Sequence, residues 1–122
     1  MITLTDEEKR ARQVLIDYAS RREAIRYADL IEKAQLNLSM RNPHHRGILG
    51  EILGNISTYE HQNGRPLLSV VAVLANFSHS DGFFKLADDL ELGNWEQLKE
   101  QKFDNEEMTR AFNFLQHSKV FE

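Results

Sequence analysis

Five histidines and a scatter of acidic residues make metal binding the first chemistry to test in this chain. His44 and His45 are adjacent, so on a helix their side chains diverge by about 100° and do not share an ion. His79 and Asp81, in "SHSDG", are able to face one ion from a loop, but no third ligand stands at a diagnostic spacing. The bland reading is a polar loop, with Asp81 capping the helix that follows. Glu51 and Glu60 precede an apolar run as acids do in metal-dependent nuclease cores, yet "LLSVVAVLA" has no charged residue to hold Mg²⁺ or orient water. Ser69, inside that run, lacks the G-x-S-x-G elbow of a serine nucleophile. No glycine-rich phosphate loop is present. The absence of cysteine removes disulfides, thiolate metal sites and thiol nucleophiles. The expectation is a protein with no catalytic residues, no metal and no cofactor.

Two clusters with binding chemistry remain. "MRNPHHRG" gathers Arg41, Asn42, His44, His45 and Arg46 around a helix start, where backbone N–H groups and the helix dipole favour an anion such as phosphate. Arg and Asn are also the side chains that read guanine and adenine edges. The competing reading is a polar loop with Asn42 as cap. The second cluster is Tyr59, Glu60 and Arg65, beside the Gly64-Arg65-Pro66 corner. Either Arg65 fixes that corner by pairing with Glu60 or Glu51, or the three line a polar pocket for a small anionic ligand. In the second case Arg65 is the anchor, because its planar fork suits phosphate or carboxylate.

The elements that must position these groups are mostly helical. Thr5 followed three residues on by Glu8 is a capping box, and Ala11, Val14, Leu15, Tyr18 and Ala19 form one apolar stripe behind it. Ile25 and Tyr27 fit a two- or three-residue strand, and a second helix covers about Ala28 to Ala34. Asn42 as N-cap and Pro43 at the first helical position open a third helix, whose core stripe is Ile48, Leu49, Ile52, Leu53, Ile56 and Tyr59. Gly64 ends it and Pro66 prevents its continuation. Gly47, Gly50 and Gly54 make a smooth strip along the third helix, each at a cost of up to about 1 kcal/mol relative to alanine. Close approach of another helix, a strand or a second subunit is the expected reason, and approach of a ligand the alternative. A possible homodimer rests on that strip alone.

"LLSVVAVLA" is short, β-branched and apolar on both faces, as a buried central strand is. A helix on "FFKLADDLEL", a weakly amphipathic "NWEQLKEQKF" and a final helix carrying Met108, Ala111, Phe112 and Leu115 complete the chain, with Asp104 and Glu107 placed as a second capping box. The fold class is α+β, mostly helical with a small sheet, in a single domain over residues 1–122.

Composition agrees with a globular chain: 41% of residues are apolar and 28% charged. The longest apolar run is far too short to span a bilayer, and "MITLTDEEKR" lacks the order of a signal peptide. The expected location is cytoplasmic, with no membrane contact. The net charge of −4 is uneven: residues 1–50 carry nine Lys/Arg against seven Asp/Glu, residues 51–122 six against twelve. A basic half can mark a nucleic-acid surface, and an acidic half a basic protein partner.

The segment "IRYADLIEKAQL…RGILGEILGNISTYEHQNGRPLLSVVAV…GFFKLADDL", about residues 24–92, resembles a family of small bacterial and phage proteins. Its members are similar in a Tyr-Glu pair, a Gly-Arg-Pro turn, an apolar strand containing a serine, and a Gly-Phe-Phe-x-Leu-Ala helix start. Here these are Tyr59-Glu60, Gly64-Arg65-Pro66, Leu67 to Val73 with Ser69, and Gly82 to Ala87. That likeness brings no activity. The same region is also similar to the winged-helix DNA-binding part of alkyltransferase-like proteins, with Tyr27 to Ile31 and His44 to Tyr59 matching its two helices. The resemblance implies a winged-helix-like centre and DNA contact. Alkyl transfer is excluded, since no cysteine is present to accept the group.

The leading expectation is therefore a non-catalytic cytoplasmic binding protein that contacts nucleic acid through the Arg41–Arg46 helix start. The alternatives are an acidic inhibitor or immunity protein that covers a basic toxin or nuclease, and a receptor for a small phosphorylated ligand built on Arg65 and the glycine strip.

Overall fold

The computed structural model describes residues 2–117. Thr5 caps helix α1 (Asp6–Ser20) as a full capping box: its hydroxyl accepts from the Glu8 N–H at 3.1 Å, and the Glu8 carboxylate accepts from the Thr5 N–H at 2.9 Å. The other Glu8 oxygen accepts from the Asn55 amide at 2.7 Å, which ties α1 to α3. Strand β1 (Ile25–Arg26) leads directly into α2 (Tyr27–Lys33), and α3 (Pro43–Gln62) starts on Asn42 and Pro43 as the residue types require. A 3₁₀ turn (Leu68–Val71) and β2 (Ala72–Val73) follow, then α4 (Asp81–Asp89), α5 (Trp95–Glu100) and α6 (Phe103–His117).

The molecule is α+β, mostly helical, and its sheet has two strands. Ile25 pairs with Ala72 and Arg26 with Val73, in parallel. This pairing does not confirm the winged-helix-like centre. A wing is an antiparallel hairpin, whereas β1 and β2 are joined by a crossover through α2 and α3.

The apolar run after Pro66 departs from the expected strand. Only Ala72 and Val73 are strand; Leu68 to Val71 wind into the 3₁₀ turn. Every residue from Leu67 to Val73 is buried, with α1, α3 and α6 all packed on the turn. A continuous apolar run signals burial on all sides, and helices satisfy that requirement as well as neighbouring strands do. The run's backbone then needs partners that a ladder would otherwise supply. Glu107 accepts from the Leu67 N–H at 2.7 Å, the Ser57 hydroxyl accepts from the Ser69 N–H at 3.0 Å, and His79 Nε2 donates to the Val70 carbonyl at 2.6 Å. The second capping box is therefore absent: α6 starts two residues earlier than such a box requires, at Phe103, and Glu107 turns inward to the buried run.

Helices α1 to α5 all end in a left-handed residue. Gly64 fills that position after α3, as expected, but Arg22, Gln35, Glu91 and Lys102 fill it after α1, α2, α4 and α5, at φ of 55–65°. Each non-glycine there costs about 1 kcal/mol or more.

Glu107 is 1% exposed, and its other oxygen accepts from Arg110. Truncating it strands the Leu67 N–H in the core. Glu107→Ala should lower stability by about 2–3 kcal/mol in urea denaturation, with the helical circular dichroism of the folded state unchanged.

Candidate functional site

Along α3 the glycine strip is not closely packed by any other backbone of the described residues. A Cβ placed on Gly47 or Gly50 meets no atom within 4 Å, and one on Gly54 makes only ordinary contact with Leu86 at 3.8 Å. This corrects the expectation of close backbone packing inside the chain. The glycines instead floor a groove of about 390 Å³ between α3 and α4. Leu53, Phe83 and Leu86 give it apolar walls, Tyr27, Ser69 and Ser80 supply hydroxyls, and Glu51, Lys85 and Asp89 supply charge. Pockets for small molecules share this size and this mixture.

The hydroxyls come from three separate segments, and packing fixes each. Ser69 is 6% exposed because its turn is wedged against α3. The Ser57 and Ser69 hydroxyls are hydrogen-bonded at 2.6 Å, and the Ser57 oxygen also accepts from the Ser69 N–H at 3.0 Å. Tyr27, the first residue of α2, is half-buried beside the Ser80 side chain. Burial pushes its phenol above the ordinary value of 10.0, and a hydrogen bond from Ser80 offsets part of that rise. Lys85 is turned aside: its Nζ lies 4.9 Å from the centroid of the Trp95 ring, a cation–π contact.

The loop before α4 is pinned at both ends of one imidazole. His79 Nδ1 lies 2.9 Å from an Asp104 oxygen, while Nε2 faces the Val70 carbonyl. Asp81 instead pairs with Lys99 at 2.7 Å, which holds its carboxyl below the usual carboxylate value. His79 and Asp81 thus engage different partners, and among the described residues no cluster of three His, Asp or Glu is placed to hold an ion. Asp81 does not cap α4; Ser80 occupies the cap position without a side-chain bond.

The residues around the α3 start are largely committed to one another. The Asn42 side chain accepts from the N–H groups of His44 and His45, His45 Nδ1 accepts from the Ser39 N–H, and Arg46 donates to the Met40 carbonyl. The Arg46 N–H is spent on the Asn42 carbonyl and Pro43 has none, so the first turn keeps no backbone donor for an anion. Arg41 and His44 remain exposed, with no side-chain hydrogen bond or ion pair among the described residues.

Tyr59, Glu60 and Arg65 do come together, in a corner that also contains Arg12. Glu60 is 0% exposed; Arg65 Nε donates to one of its oxygens at 2.7 Å and Arg12 Nε to the other at 2.6 Å. Both guanidinium groups lie over the Tyr59 ring, at 5.2 and 5.5 Å. A buried carboxylate held by two Arg residues has no oxygen left for a further cation, and it neutralises the forks an anion would need. Tyr59 also borders a shallow depression of about 270 Å³ with Lys9 and Arg12. Arg65 lies outside the glycine groove, so the two features combined in the phosphorylated-ligand expectation belong to different places.

Sequence spacing gave no sign of Arg12, Ser57, the Glu107–Leu67 bond or the His79–Asp104 pair, since these partners lie up to 48 residues apart. Tyr27 and Ser69 stand inside the segments that carry the family resemblance, but nothing local marks them as neighbours. No family model, no curated protein and no solved structure matches this chain.

The phenol of Tyr27 sets a pH dependence. Its raised value favours the protonated form in the folded state, so its contribution to stability is complete below the unfolded tyrosine value and is lost as pH rises through the folded one. Tyrosinate absorbance should show one group ionising later than exposed tyrosine, above about pH 10. Tyr27→Phe should remove that late step and flatten the loss of stability on the alkaline side.

Proposed function

We propose that this is a non-catalytic binding protein whose ligand occupies the groove between α3 and α4. The observation that carries this reading is the pair Gly47 and Gly50: both are exposed in a helix, at a stability cost, and no other part of the described chain comes near enough to need them. With no helix among the described residues long and apolar enough to cross a membrane, the ligand is sought in water.

The second reading is contact with nucleic acid through the α3 start. It is favoured by the exposure of Arg41 and His44, the two members of that cluster whose side chains hold nothing else in place. Phosphate neutralisation by so few groups gives weak binding with a shallow salt dependence. Fluorescence anisotropy with labelled duplex and single strand at two salt concentrations tests it. Saturable binding lost in Arg41→Ala supports this reading, and binding unchanged by that substitution removes it.

For the groove, the glycines allow a test that separates binding from folding. Gly47→Ala with Gly50→Ala should raise stability by about 1–2 kcal/mol, because the added methyls meet no protein atom and strengthen the helix. In a thermal-shift screen, ligands of the groove should raise the melting temperature of the native chain and lose that effect in Gly50→Leu. Compounds that stabilise both chains equally bind elsewhere.

A further inference from the structure

We propose that Asn63 is a site of self-modification: its side-chain amide is lost by attack of the Gly64 backbone nitrogen, and the closed corner at the end of α3 sets the rate.

The sequence supplies the reacting pair. No other asparagine in the chain is followed by glycine. The attacking group is the main-chain nitrogen of the following residue, and only glycine leaves it uncrowded by a side chain. Both residues are exposed, so water and base reach them. Gly64 also turns left-handed, at φ 72°, to stop α3, a position that favours glycine over other residues. The residue that ends the helix is thus the one that makes its neighbour reactive.

The step balances with water as the only co-reactant. The Gly64 nitrogen bonds to the Asn63 side-chain carbonyl carbon, the Cγ–Nδ2 bond breaks, and ammonia leaves with the proton that the attacking nitrogen gives up. Water then opens the cyclic imide at either carbonyl. One product is aspartate; the other is isoaspartate, whose main chain runs through the former side chain. Ammonia is exchanged for water, and nothing is oxidised or reduced.

The folded corner opposes this step at both reacting groups. Asn63 Nδ2 donates to the Tyr59 carbonyl at 2.8 Å, and the Gly64 N–H is spent on the His61 carbonyl at 3.0 Å. The next residue holds the corner shut: the Arg65 N–H donates to the Glu60 carbonyl at 3.0 Å, and its side chain pairs with the buried Glu60 carboxylate. Attack therefore proceeds from an opened corner, a local event far smaller than unfolding. The product does not fit the closed one. A carboxylate at residue 63 faces the Tyr59 carbonyl where an N–H stood, at the helix end whose dipole disfavours negative charge. Isoaspartate also lengthens the main chain just before Arg65 and Pro66, which lead into the buried segment. Modification thus loosens the joint between α3 and the core and accumulates with the age of the molecule.

The test ages the full chain in mildly alkaline buffer, native and in denaturing urea. Digestion and mass spectrometry locate the gain of about 1 Da, and an isoaspartate-specific methyltransferase separates the two products. Hydrogen exchange at the Gly64 amide measures how often the corner opens. In urea, Asn63 should be modified before any other asparagine. In the native chain its rate should fall about tenfold or more, by the factor that Gly64 exchange reports. Arg65→Ala, its fold checked by circular dichroism, should raise both rates by the same factor, and Asn63→Asp should lower the melting temperature. Where Arg65→Ala does not fold, the native and denatured chains decide between them. Modification of other asparagines ahead of Asn63 in urea overturns the site. Equal rates in the native and denatured chains overturn control by the corner, as does a native rate that departs from the opening measured at Gly64.

Discussion

The backbone of the buried segment after Pro66 sets the terms for the whole molecule. A chain that sends Leu67 to Val73 through its centre must find partners there for N–H and C=O groups that water no longer reaches. A sheet of two short strands supplies some of them. Glu107 from α6, Ser57 from α3 and His79 from the loop before α4 supply others. These three side chains also explain why polar groups occupy a core otherwise built of Leu, Ile, Val, Ala and Phe: each is polar where a peptide group needs a partner. The placement of α3, α6 and the α4 loop around one turn follows from the same demand.

The groove grows out of this arrangement. Ser57 engages Ser69, and that bond sets the turn against α3 just where the glycines begin to leave space. His79 fixes the loop that presents Ser80, and Ser80 in turn meets Tyr27 at the head of α2. The hydroxyls of the groove are thus the outer members of hydrogen-bond chains whose inner members hold the core. The Glu60 corner with Arg12 and Arg65 does different work. It joins α1 to the end of α3 and to the segment that enters the centre, with no share in the groove.

What was legible in the sequence divides along physical lines. The Thr5–Glu8 box, the Asn42–Pro43 start and the Gly64 end were readable because each is a bond or a backbone angle within a few residues of its cause. The Arg65–Glu60 pair was readable for the same reason. The apolar run was readable as buried, but its conformation was not, since strand and 3₁₀ turn bury the same side chains and the choice lay with Ser57, Glu107 and His79. The second capping box failed on the same ground: Glu107 was drawn to a distant peptide instead of its own helix end. Of the groove, only the glycine floor showed in the sequence. Tyr27, Ser69 and Ser80 come from three separate segments, and only the folded chain makes them neighbours.

The left-handed residues that close the helices have a bearing on how the chain reaches this state. A glycine stop acts locally and early, because its backbone accepts the turn without help. Arg22, Gln35, Glu91 and Lys102 accept it only at a cost, so the ends of α1, α2, α4 and α5 are imposed by what packs against them. The lengths of these helices are then properties of the assembled protein. In a nascent or partly collapsed chain their C-terminal boundaries would remain unsettled until the centre closes, whereas α3 carries its own glycine stop from the start.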